Sequence, residues 1–185
     1  MPPQLGFIKL NYDGASKGNL EQAGSGGIFR NSQGAVCRFY AFDLGHATNN
    51  EVELLAVKQG IVIAIRENYQ RIIIEGDSTM VTGVLRKLQQ GTPWEKMSHS
   101  WRTAALIEEV SQLLKQIQYL IPNHIRRKGN AAADYLANWG YKQIEHSIDA
   151  HPIDAIWEVE LHSLQLIVSK DLQPPDRGIH LSENI

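Results

Sequence analysis

The chain has 185 residues, 43% hydrophobic and 21% charged, which is the composition of a globular protein able to bury a full core without staples. A formal net charge of -2 argues against binding nucleic acid by bulk electrostatics, and the single Cys37 excludes an intrachain disulfide. Apolar runs such as Ile72-Ile73-Ile74 fall far short of the roughly 18 residues of a membrane helix, and Met1-Pro2-Pro3 opens no secretory signal. The expectation is therefore an intracellular protein, nuclear or cytoplasmic, that is not secreted and has no membrane partner.

Residues 7–13 read as a strand buried largely on both faces and closed by a turn at Asp13-Gly14. A carboxylate at such an end is costly unless something compensates it. A metal ion is one compensation and Asp-Gly turn chemistry is the other, and this stretch alone leaves both open. The Gly-rich approach near residue 24 lacks a following helix, so it forms no phosphate-cradling loop and reads as turn chemistry. Residues 26–30 and 35–44 read as two further strands around an Asn31-Ser32-Gln33-Gly34 hairpin loop, completing an antiparallel meander.

The period changes at residues 48–68, where Leu54, Val57, Ile61, Ala64 and Ile65 recur at three and four and predict a long amphipathic helix capped by Thr48 or Asn49. On it Glu53 aligns with Ala56, Val57 and Gly60 and points to the core, whereas Glu51, about 200° away, points outward. Acids at helix starts also serve the dipole, so the position alone does not define a ligand. Residues 71–77 repeat the opening pattern and end on Gly76 and Asp77. A preceding helix of crossover length makes this strand parallel to the first and brings Asp13 and Asp77 to one sheet edge, where open α/β sheets place their sites. Helices are predicted at 78–90 and 101–115, with a short strand at 118–122 between the latter and a last helix capped by Asn130. That helix carries Asp134 in its first turns, beside the basic run Arg126-Arg127-Lys128. Residues 156–168 read as an amphipathic helix, and Pro174-Pro175 opens a loop or flexible end.

The acids come in the order Asp13, Glu53, Asp77, Asp134, within N-Y-D-G-A-S at 11–16, T-N-N-E-V-E-L-L-A at 48–56, E-G-D-S at 75–78 and H-I-R-R-K-G-N-A-A-A-D-Y-L-A at 124–137. Together these resemble the ribonuclease H family. Within it the chain looks most like plant ribonuclease H-like domains, found alone or at the ends of retrotransposon reverse transcriptases, which share the R-x-x-x-G hairpin at Arg30 to Gly34. The resemblance spans residue 7 to about 142. It implies an α/β ribonuclease H-like fold: a five-stranded mixed sheet, three antiparallel strands followed by parallel additions, flanked by helices. The domain would occupy residues 1–142, and residues 143–185 would be a C-terminal extension with one helix and a flexible end.

The activity implied is metal-dependent endonucleolytic cleavage of the RNA strand of RNA/DNA hybrids. The alternative is a catalytically silent nucleic-acid-binding or interaction module on the same fold. By the same resemblance Asp13, Glu53, Asp77 and Asp134 hold two Mg²⁺ ions, with Mn²⁺ as a substitute, and His124 assists catalysis. Hard oxygen-only ligands suit such ions. Gly14, Ala15, Ser16, Thr48, Asn49, Asn50, Arg126 and Asn130 are expected to contact the hybrid, and the protein to be a monomer. Bacterial relatives carry a lysine- and tryptophan-rich segment between the third acid and the last strand that helps grip the hybrid. Here the stretch from Gly91 to Arg102 is short and its only lysine and arginine residues are Lys96 and Arg102, so weak autonomous binding is expected.

Overall fold

The computed structural model describes residues 1–18, 21–97, 100–142 and 148–150. Strand β1 (Ile8–Ser16) pairs antiparallel with β2 (Glu21–Arg30), and β2 with β3 (Val36–Ala47). Helix α1 (Asn49–Arg66) crosses over to β4 (Arg71–Gly76), which lies parallel to β1, and helices α2 (Thr79–Gln89) and α3 (Trp101–Leu114) lead to β5 (Tyr119–His124), parallel to β4. Helix α4 (Ala131–Gly140) follows, and a short β6 (Ile148–Ala150) joins the far edge, giving the order β5-β4-β1-β2-β3-β6. The five-stranded mixed sheet expected from sequence is thus present, and three residues of the extension lengthen it by pairing antiparallel with β3. The helix predicted at 156–168 lies outside the described residues.

Alternation along β1 separates two layers. Leu10 and Tyr12 pack with Tyr40, Leu54, Val57, Ile61 and the inward faces of α2 and α3 in the main core. On the opposite face Ile28, Phe39 and Ala41 meet Ala132 and Leu136 of α4. β1 is buried on both sides, but Lys9 and Asn11 stand on the second face. They are accommodated by polar partners: Lys9 pairs with Glu75 at 3.0 Å, and Asn11 accepts from Arg30 Nη1 at 2.9 Å and donates to Glu75 Oε2 at 3.3 Å.

Several local expectations are corrected. β1 does not turn at Asp13-Gly14 but runs on to Ser16, because β2 continues to pair with it as far as Ser16 opposite Ala23. The Gly-rich approach near residue 24 is not a turn either; it lies inside β2, which begins at Glu21. A side chain on Gly24 would come within 2.5 Å of the Ala137 carbonyl, so the glycines let α4 settle directly on the strand. β5 extends two residues past Pro122, which is tolerated because β5 is an edge strand. Two of its carbonyls, Leu120 and Pro122, accept from Gln89 and Arg86 of α2 at 2.7 and 3.3 Å, which blunts that edge. Glu51 is not turned to solvent: only 7% exposed, it folds back to accept from Thr48 N and Oγ1, both at 2.8 Å, in a capping box.

Candidate active site

The β1 and β4 register pairs Asn11 with Glu75, and continuing it by two residues brings Asp13 level with Asp77. Asp77 stands just beyond β4, where Ser78 caps α2 by accepting from Val81 N. Glu53 reaches the same point from the first turns of α1 because Gly14 lacks a side chain: a Cβ there would lie 2.6 Å from Val52 Cγ1 and 2.9 Å from Glu53 N. One carboxylate oxygen from each of Asp13, Glu53 and Asp77 lies within 4.8 Å of the others.

Such crowding perturbs ionisation. Burial, reinforced by the charges of Glu53 and Asp77, pushes the Asp13 carboxyl up to about 9, and burial with Asp77 raises Glu53 to about 8 against the lowering effect of Arg127. Glu53 Oε2 is buried with no hydrogen-bond donor. A polar atom orphaned among like charges is costly unless a cation joins it, so an oxygen-only cluster of this kind fits a hard divalent ion such as Mg²⁺ or Mn²⁺.

Asp134, the fourth acid, lies on α4 outside this group of three, and its Oδ1 accepts from Arg127 Nη2 at 2.9 Å. Asn130 begins α4 without giving it a side-chain cap. Its amide instead donates to Tyr12 O at 2.8 Å and Asp13 Oδ1 at 3.4 Å. It is 1% exposed. His124 is exposed at the end of β5, its Nε2 3.0 Å from the Asp77 carbonyl oxygen.

Beside the cluster opens a cleft of about 340 Å³. Of the residues expected to contact a hybrid, Gly14, Ala15, Ser16, Asn49 and Asn50 line it. Thr48 instead uses its hydroxyl in the cap of α1, and Arg126 is exposed in the loop before α4 without lining the cleft. Ser78, Arg127 and Asn138 line it although the sequence reading singled out none of them for the role. Arg127 was legible only as one third of a basic run. For Asn138 the available signal was its spacing, four residues after Asp134 and thus on the same face of α4.

The sheet order and the position of the acids define a ribonuclease H-like domain. The family described as reverse transcriptase-like matches residues 11–140, and the chain belongs to that family, within the ribonuclease H group. It is 29% identical over 154 residues to a putative ribonuclease H protein of Arabidopsis thaliana, covering 83% of this chain and 23% of that protein. It is 32% identical over 150 residues to the ribonuclease H of an Acidovorax species, covering 74% of this chain and 96% of that one. The chain thus spans about a quarter of the plant relative and nearly all of the bacterial one. Among solved structures, ribonuclease H1 of Halobacterium salinarum superposes with a TM-score of 0.65 at 24% identity, over 74% of this chain and 98% of that one. LC11 ribonuclease H1 in complex with an RNA/DNA hybrid gives 0.63 at 20%, over 74% and 97%. At these identities the likeness is one of fold.

Proposed function

We propose that this chain is a metal-dependent endonuclease that hydrolyses the RNA strand of RNA/DNA hybrids. The observation that carries the reading is the convergence of Asp13, Glu53 and Asp77 within 4.8 Å, two of them with carboxyl pKa values raised to about 9 and 8. Structural ion pairs lower carboxyl pKa values, whereas this cluster destabilises its own charges and is relieved by a cation. The relative solved with an RNA/DNA hybrid supports the choice of substrate.

Asp13 and Asp77 would hold the central positions of a two-ion site, with Glu53 as an outer ligand that also contacts the ribose 2'-OH and Asp134 serving the second ion. The chemistry that a Mg²⁺ or Mn²⁺ pair supplies at such a site is activation of water and stabilisation of the leaving oxygen in an in-line displacement. The protein's own groups do the rest. Gly14, Ala15 and Ser16 offer a strand backbone to the cleft and Asn49 and Asn50 offer amides, donors and acceptors of the kind that read a 2'-OH. His124, fixed against the Asp77 carbonyl, can move a proton at the rim and help product leave.

The test is a cleavage assay on matched RNA/DNA, RNA/RNA and DNA/DNA duplexes with and without Mg²⁺. The expected outcome is cleavage of the RNA strand of the hybrid alone, and only with the ion. Hybrid binding without cleavage under any divalent ion would identify the silent binding module instead.

A further inference from the structure

Arg127 places a cation beside the acidic cluster, on the fourth acid. Its Nη2 donates to Asp134 Oδ1 at 2.9 Å, and its side chain remains 77% exposed at the cleft it shares with Glu53. Its electrostatic reach is wider than this one pair. The guanidinium draws the Glu53 carboxyl down against burial, and Asp134 first, then Asp13 and Asp77, hold the guanidinium proton more tightly. Asp134, meanwhile, stands outside the group of three acids close enough to share an ion. The fourth carboxylate is therefore engaged by an arginine that lines the cleft.

We propose that Arg127 is the resident counter-ion of Asp134 and competes with the second divalent cation for that carboxylate, releasing it when the cation binds. This deepens the proposed function and rests on it. An ion pair with so exposed a guanidinium is weak, so the exchange is easy, and it gains from the planar fork that suits arginine to phosphate as well as carboxylate. A guanidinium freed at the cleft mouth stands where an incoming phosphodiester must pass. The same side chain would then hold Asp134 in the empty site and a phosphate in the loaded one.

Calorimetric titration of the full chain with Mn²⁺ near neutral pH, without nucleic acid, tests this apart from activity. Arg127→Ala should bind the weaker ion about two- to fivefold more tightly than wild type, the range expected for loss of an exposed competing pair. Lys128→Ala, which removes the same charge from the adjacent exposed position, should give a smaller change. In an Asp134→Asn background the Arg127 substitution should have no effect. Equal affinity in wild type and Arg127→Ala would overturn the proposal, as would an equal gain from Lys128→Ala, which would mark a diffuse field rather than direct competition. Mn²⁺ binding that ignores Asp13→Asn would overturn the metal site and this inference together. Binding that needs Asp13 but ignores Arg127 would overturn this inference alone.

Discussion

Asn130 ties α4 to the strand that carries the central acid, through an amide that donates to Tyr12 O and Asp13 Oδ1. Asn130→Ala would leave the Tyr12 carbonyl without that donor, so it should cost about 1–3 kcal/mol in urea denaturation and weaken Mn²⁺ binding by loosening Asp13. A variant with wild-type stability and metal affinity would show that the contact is incidental. For the proposed role of His124 in proton transfer, His124→Ala should lower the cleavage rate by about 10² to 10⁴ while leaving the Mg²⁺ requirement unchanged. A wild-type rate across the pH range would make the ring ordinary surface. These residues also show what sequence reading can reach. Asn130 reads as a cap by type and position, but the carbonyl it serves is 118 residues away and no local pattern reports it. Glu51 was within reach, because Thr48-Asn49-Asn50-Glu51 has the spacing of a capping box. A helical wheel places a side chain by the direction of its Cβ and misses one that folds back over its own helix start.

At the scale of elements, the contact of α4 with β2 depends on glycines whose role is steric. A Cβ on Gly26 would lie 2.6 Å from Leu136 Cβ, with still closer approach to α4 backbone, whereas one on Gly83 in α2 meets nothing within 4 Å. Gly26→Ala should therefore destabilise by about 1–3 kcal/mol, through overpacking at the α4 seam. Gly83→Ala should stabilise by up to about 1 kcal/mol through helix propensity. Denaturant midpoints for the two variants should move in opposite directions, and a neutral Gly26→Ala would mean that α4 can shift without cost. The same seam explains an error of sequence reading. A run of glycine is the strongest local signal for a turn, and a strand that needs glycine to admit a helix looks identical until the helix is in place. The helices were legible because their three-and-four spacing records the burial of a face. β1 was legible as a strand but not in its end, since its last residues are held by β2 alone.

For the molecule as a whole, topology was readable because an antiparallel meander, a long crossover helix and a second apolar run ending in Gly-Asp leave few arrangements. β6 was not, as three residues carry no period. What the topology creates is an electrostatic cost that makes stability depend on pH. Asp13 and Glu53 have folded pKa values of about 9 and 8, above the ordinary carboxylate value near 4, so between these limits the folded protein holds protons that the unfolded chain has released. Their contribution to stability is therefore fully present below pH of about 4 and is lost as pH rises through about 8 to 9. A divalent cation held by the ionised cluster would oppose the loss, adding about 2.7 kcal/mol when present at a hundredfold its dissociation constant. Thermal unfolding from about pH 5 to 9 should show a falling metal-free midpoint, with Mg²⁺ raising it most at the alkaline end, where no proton need be displaced. Asp13→Asn removes the most perturbed carboxyl with little change in volume, so its metal-free midpoint should exceed wild type at alkaline pH, respond little to Mg²⁺ and accompany loss of cleavage. A variant that is still stabilised by Mg²⁺ as strongly as wild type would place the ion elsewhere, because exchanging an ionised oxygen for a neutral amide removes the charge that attracts a cation centred on Asp13 and must weaken its binding.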